Sequence, residues 1–268
     1  MKISEMHLGF LGFGHMAQVI FQAIDHAKLI PRSQVSFIRR DPQKMRENEK
    51  TFGITSTSLE RLLKTSDLII LGVRPHQAKE VLSQMKGMDP AKMVVTMLSG
   101  IHIATYRKYL KNPLVRVMPN TASEVGMGMS VFSYADAPSE VFRSLTHLLF
   151  SCMGEVIELP EAMMDISVGI SGSGPGFVFR LIEAAAREGE KRGIPYKDAL
   201  TMAAQTFMGA GKLVLKKGNV QNLLLQIATP NGTTEAGLKK MSELKIDEHY
   251  REVISAATKR SKELSEES

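Results

Sequence analysis

Two short stretches hold the residues whose types and spacing could do chemistry. Ile227 to Leu238, IATPNGTTEAGL, puts Pro230, an Asn231-Gly232 pair and the threonines Thr233 and Thr234 in one tight turn before a helix-compatible run. A turn of this kind aims backbone N–H groups and hydroxyls into a shared space, which suits a small carboxylate. Near the other end, Gly12-Phe13-Gly14-His15-Met16-Ala17 fits G-x-G-x-x-[GA] between a predicted strand and a predicted helix. The first Gly allows the tight turn and the second lets the backbone approach a pyrophosphate. The small third position lets helix and strand pack closely. The phosphates would then rest on a helix N-terminus, where free N–H groups and the dipole favour anions. One end is suited to a nucleotide and the other to a small anion, a pairing that points to a cofactor-dependent enzyme acting on a small acid.

The end of the second strand should carry the residue that meets the adenosine ribose. There the chain reads Ile38-Arg39-Arg40-Asp41. Arg39 and Arg40 fit a 2′-phosphate through charge and bidentate geometry. The alternative is two solvated arginines with Asp41 on an NAD ribose. NADPH is the expected cofactor, with NADH the second choice. Gly72-Val73-Arg74-Pro75, Ser99-Gly100 and Met118-Pro119-Asn120-Thr121 each follow a predicted strand. All three therefore lie where open α/β sheets place ligands, outside the carboxyl ends of strands.

These groups need a scaffold, and the first half of the chain alternates strand and helix signals. Strands are expected at Met6 to Leu11, Val35 to Ile38, Leu68 to Val73, Met93 to Leu98, Val115 to Met118 and Val156 to Leu159. Helical spacing falls at Met16 to Ile24, Ser58 to Lys64 and Gln77 to Met85. Continuous apolar runs such as LIILGV suit strands buried on both faces of a parallel sheet. The fold expected is α/β, a Rossmann-type doubly wound sheet followed by an all-α domain. After about Pro160 strand signals vanish, so residues 1–160 read as the dinucleotide-binding domain and 161–268 as a helical dimerisation and substrate domain. Its helices are expected at Gly176 to Arg192, Tyr196 to Leu215, Thr234 to Leu244 and Glu248 to Leu264. The break between the first two is Gly193-Ile194-Pro195. A helical domain of about 100 residues is small for isolated stability, and its Ala-, Gly- and Met-rich helices suggest pairing with a copy of itself.

Bulk numbers narrow the class. With 268 residues, 43% hydrophobic and 23% charged, the chain is typical of a globular protein. The polar C-terminal stretch KRSKELSEES is expected to fray. No stretch has the apolar length of a membrane span, and MKISEMHLGF lacks a signal-peptide core. Cys152 is the one cysteine, which excludes an internal disulfide and any cysteine-based metal cluster. A cytoplasmic protein is the simplest expectation. The net charge of +6 comes from 34 basic and 28 acidic residues spread along the chain. No aromatic-interleaved basic stripe speaks for nucleic acid, and the histidines show no metal-ligand spacing. Tyr106 and Tyr109, flanking Arg107-Lys108, suggest a solvated helix face.

The order GFLGFGHMA, GVRPHQ, RVMPNTASEVGMG, SGSGPGFVF, AAQTFMGAGKL and TPNGTTEAGL resembles pyrroline-5-carboxylate reductase over nearly the whole chain. The resemblance implies reduction of 1-pyrroline-5-carboxylate to L-proline with NADPH or NADH, the last step of proline synthesis. It also implies a helical domain interlocked with a second subunit, a homodimer that in several members builds a decamer. By that resemblance Gly12, Gly14, His15, Met16 and Ala17 hold the pyrophosphate. Arg39 and Arg40 flank the adenosine phosphate, Val73, Arg74 and Pro75 lie beside the cofactor with Ser99, and Asn120 lies near the nicotinamide. Thr229, Gly232, Thr233 and Thr234 grip the substrate, with Ser171 near the site and the Thr234 hydroxyl on the ring nitrogen. The departures are Asn231 for a glycine, Leu224-Leu225 for Arg-Asp, Val168 for a threonine, His15 for an asparagine and Gly176 for an alanine. They leave open a divergent imine or 3-hydroxyacid dehydrogenase, or a non-catalytic NADP-binding regulatory paralogue.

Overall fold

The computed structural model describes residues 3–266. In chain order the strands are β1 (Leu8–Leu11), β2 (Val35–Ile38), β3 (Thr55–Ser56), β4 (Leu68–Leu71), β5 (Met93–Thr96), β6 (Leu114–Met118), β7 (Gly128–Tyr134) and β8 (Gly154–Glu158). The helices around and after them are α1 (His15–His26), α2 (Pro42–Phe52), α3 (Leu59–Thr65), α4 (Ala78–Gln84), α5 (Ile103–Arg107), α6 (Glu140–Ser151) and α7 (Met164–Ser167). Then follow α8 (Gly174–Lys191), α9 (Tyr196–Lys217), α10 (Val220–Ile227), α11 (Thr233–Glu243) and α12 (Ile246–Glu266). By compactness the described residues form two units: one runs up to Gly172 and regains the chain from Ala257 onward, the other is Ser173–Ala256.

The first unit holds one sheet in the order β3-β2-β1-β4-β5-β6-β7-β8. Pairings from β3 to β6 are parallel, β7 runs antiparallel to β6, and β8 is parallel to β7. Strand order reverses between β1 and β4, so their carboxyl ends open a crevice at the switch point. β1, β4 and β5 are buried at every residue, as continuous apolar runs require of strands covered on both faces. One core packs Phe10, Phe13, Phe21 and Phe37 on one face, and the other packs Ile69, Leu71, Val94 and Tyr106. Tyr106 is thus a core residue, not part of a solvated face. Its hydroxyl lies 2.7 Å from Thr96 Oγ1, and burial pushes its pKa up to about 12.

The C-terminal stretch also departs from expectation. Residues 259–266 continue α12 rather than fray, and 267–268 lie outside the described residues. Ser261 and Ser265 are buried, and Ser261 Oγ donates to Asp165 Oδ1 at 2.7 Å. The helix end lies against Gly100, where a Cβ would come within 3.0 Å of the Leu264 carbonyl oxygen.

In the second unit α8 and α9 pack together, closely enough that a Cβ on Gly189 would come within 2.9 Å of Ala199 Cβ. Arg187 lies 4.4 Å from the Tyr196 ring centroid and bonds Glu183, which also accepts from the Tyr196 hydroxyl. Ala186 and Ala199 are the only hydrophobic residues of this unit fully buried among the described residues. Phe179, Met202, Leu215 and Leu225 are exposed by 63%, 59%, 75% and 76%, so the unit's apolar faces lack a core of their own.

Candidate active site

The glycine turn after β1 is fixed by three things. Gly12 has φ +94, and a Cβ there would come within 2.6 Å of the Gly72 carbonyl carbon, so only glycine fits. Phe13 is a buried anchor, its ring centroid 4.7 Å from that of Phe37 and 5.3 Å from that of Phe10. Arg39 Nη1 donates to the Phe13 carbonyl at 2.9 Å. Gly14 then caps α1 in extended conformation, and open space surrounds the position a Cβ would take. Gln18 donates to the Gly14 carbonyl at 3.0 Å, so the amides of His15, Met16 and Ala17 precede the first helical bond.

Those amides face a cavity of about 260 Å³ lined by Gly14, His15, Met16, Ala17, Gly72, Val73, Met97, Met118 and Pro119. Five of the expected cofactor residues meet there. Gly12, Arg39, Arg40, Arg74, Pro75, Ser99 and Asn120 do not line it. A glycine-floored cradle against an uncapped helix start fits a dinucleotide pyrophosphate. His15 Nε2 lies 2.7 Å from Glu124 Oε1, which ties the loop after β6 to the cradle.

Asp41 accepts from Gln43 and Lys44 N–H through the same Oδ1, capping α2. These backbone bonds, Lys44 foremost, hold its pKa below the ordinary carboxylate value. Its use as a cap leaves Arg39, half-buried, and Arg40, exposed, as the charged groups offered at the end of β2. Burial pushes the Cys152 thiol pKa up, and its Sγ donates to Leu149 O, so it is a poor nucleophile.

Asn120 is turned inward. Its Nδ2 donates to the Ser171 carbonyl at 3.0 Å, and its Oδ1 accepts from Met129 N–H at 3.2 Å. Ser171 lies in a π-helical turn, Val168–Gly172, with its own hydroxyl donating to Ser167 O at 2.9 Å. The structure therefore groups Ser171 with Asn120 in the first unit, whereas Thr229, Gly232, Thr233 and Thr234 belong to the second.

In that second unit Gly232 donates to the Thr229 carbonyl at 2.9 Å, closing a turn in which Asn231 takes φ 58. A Cβ on Gly232 would come within 2.5 Å of Thr229 Oγ1. Gly232 caps α11 with no side-chain bond, and the first helical bond runs from Ala236 N–H to the Gly232 carbonyl at 3.1 Å. The amides of Thr233, Thr234 and Glu235 therefore stand ahead of it. The Glu235 carboxylate accepts from Asn231 N–H at 2.7 Å, locking the turn.

Sequence reasoning missed Phe13, Glu124, Met97 and the inward role of Asn120. The apolar x of the fingerprint was the available signal for Phe13. Glu124 lies 109 residues from its partner and left no local signal.

Comparison with known proteins agrees with this geometry. A family model described as pyrroline-5-carboxylate reductase dimerisation matches residues 161–264, and one described as NADP oxidoreductase, coenzyme F420-dependent, matches residues 7–100. The chain is 34% identical to pyrroline-5-carboxylate reductase 1 of Bacillus subtilis, covering 98% of this chain and 91% of that protein. It is 32% identical to the Arabidopsis thaliana pyrroline-5-carboxylate reductase, with 97% and 95% covered. The crystal structure of Plasmodium falciparum pyrroline carboxylate reductase with NADP bound superposes with TM-score 0.87 at 26% identity, covering 98% and 99%. A pyrroline-5-carboxylate reductase structure from Coxiella burnetii gives TM-score 0.90 at 26% identity, covering 97% and 98%. With relatives of that name 34% and 32% identical over 98% and 97% of its length, the chain belongs to the pyrroline-5-carboxylate reductase family.

Proposed function

We propose that this chain reduces 1-pyrroline-5-carboxylate to L-proline, with NADPH as the preferred donor and NADH as the second. The observation that carries the reading is the start of α11. There three amides precede the first helical bond, beyond a turn that admits only glycine at 232. That is a site for a small carboxylate. The near full-length likeness to reductases of that name supports the substrate. Arg39 and Arg40, with Asp41 engaged as a helix cap, support the 2′-phosphate.

The N–H groups of His15, Met16 and Ala17 would hold the pyrophosphate at the turn of Gly12 and Gly14, with Val73, Arg74, Pro75 and Ser99 contributing to the cofactor site. A bound reduced nicotinamide supplies the hydride that adds to the imine carbon. Water protonates the ring nitrogen before that addition, so no strong acid is required of the protein. The amides of Thr233 and Thr234 hold the carboxylate, Thr229 shapes the turn, and the Thr234 hydroxyl orients the nitrogen. Addition of hydride to the protonated imine leaves a neutral secondary amine, which takes its last proton from water. The protein's contribution is orientation and electrostatics.

The working assembly is a homodimer, with dimers joining into a decamer as a further step. The exposed apolar faces of residues 173–256 support the dimer. Residues 1–160 act as the dinucleotide domain and 161–268 as the dimerisation and substrate domain, in the cytoplasm.

The deciding experiment follows absorbance at about 340 nm, where reduced nicotinamide absorbs. Each cofactor is supplied in turn with pyrroline-5-carboxylate. Oxidation that depends on the imino acid, faster with NADPH, is the expected result. Binding of NADPH without oxidation assigns a regulator instead, and oxidation with only a hydroxyacid/oxoacid pair assigns a dehydrogenase.

A further inference from the structure

Asn120 stands at the carboxyl end of β6, where a ligand contact is expected, yet its amide points into the protein. It is 9% exposed and joins three elements. Oδ1 takes the Met129 N–H as β7 begins, and Nδ2 reaches the Ser171 carbonyl in the π-helical turn. A π-turn spaces its bonds one residue wider than an α-helix, and the Asn120 amide supplies the Ser171 carbonyl with a partner from outside that turn. The same turn packs on the crevice wall, since a Cβ on Gly172 would lie 3.8 Å from Met118 Cγ. Met118 and Pro119, immediately before Asn120, line the cofactor cavity. Two residues after Ser171 the second unit begins, and α8 starts at Gly174.

We propose that Asn120 is a positioning residue for hydride transfer that does not touch the nicotinamide. It fixes the π-helical turn, and Ser171 within it, to the wall of the cofactor cavity. The proposal rests on the reductase reading above. Its physical basis is the steep dependence of transfer on geometry, where a misplacement of about 1 Å costs roughly a hundredfold in rate.

Asn120→Asp keeps the shape and the acceptor for Met129 but places an oxygen against the Ser171 carbonyl. Four measurements on the full chain test the proposal. Without cofactor, amide exchange over residues 168–173 accelerates by about tenfold or more. The NADPH Kd, by fluorescence titration, stays within about twofold of wild type, since no cofactor contact is lost. The value of kcat falls by about tenfold or more. The isotope effect on kcat with 4-deuterated NADPH rises, as transfer becomes rate-limiting. A Kd weakened by about tenfold with unchanged exchange makes Asn120 a cofactor ligand and overturns the proposal. Unchanged exchange, or faster exchange with kcat intact, overturns it too. Asn120→Ser, too short to reach Ser171, is measured in the same way should the aspartate variant fail to fold, and must give the same pattern. A wild-type protein without turnover sinks the reductase reading, whereas the exchange and Kd measurements still decide whether Asn120 fixes the π-helical turn without touching the cofactor.

Discussion

Thr234 is the second residue of α11, half-buried, with its amide ahead of the first helical bond. Thr234→Ala removes a hydroxyl without disturbing the turn. We expect kcat to fall by about tenfold to a thousandfold, the range of lost positioning or hydrogen bonding. Steady-state kinetics at wild-type level would take Thr234 out of the mechanism. Gly232→Ala acts on the turn, because its Cβ would come within 2.5 Å of Thr229 Oγ1 and 2.9 Å of the Thr229 carbonyl oxygen. The expected result is a KM for the imino acid raised by about tenfold or more, with NADPH affinity unchanged. Equal loss of both affinities would count against separate cradles. At this scale the sequence was legible where backbone geometry dictates residue type. Gly12, with φ +94, and Asn231, with φ 58, both occupy positions that few residues tolerate. Asn120 was not legible in the same way, since its partner Ser171 lies 51 residues on, where no local pattern links them.

The cap of α2 makes a testable case for elements. Asp41 takes two amide bonds that stabilise its charged form, which holds its pKa below the ordinary 3.8. A depressed carboxylate stabilises the fold fully above its unfolded value and loses that contribution as pH falls through the folded one. Thermal melts of wild type and Asp41→Ala should therefore differ above about pH 4 and converge below it. A gap independent of pH would place the effect elsewhere. For α6, Ser139 Oγ accepts from Phe142 N–H at 3.2 Å, and Ser139→Ala should cost about 1 kcal/mol in urea denaturation. The apolar runs of β1, β4 and β5 were readable because burial on both faces removes polar interruptions. β7, α2, α6 and α10 were not expected. PQKMRENEKTF is so polar that its helical period is weak, and GMSVFSY lacks clean alternation. The final turns of α12 look solvated in sequence and are held by Ser261 on Asp165, 96 residues away.

For the whole molecule, residues 173–256 bury only two alanines fully among their apolar side chains. A unit with so little interior gains its stability from association. Phe179→Asp with Leu215→Asp should halve the mass seen by light scattering and lower turnover by roughly tenfold or more. A mass unchanged by both substitutions would place the interface on other faces. The chain passes from the sheet-bearing unit to the helical one at Gly172–Ser173 and returns within α12 at Ala257. The helical body is therefore an inserted loop of the architecture and has no free end of its own. A protease that nicks only one crossing leaves that body tethered through the other. Its release as a fragment requires two cuts, the second inside a continuous helix that resists cleavage until it locally unwinds.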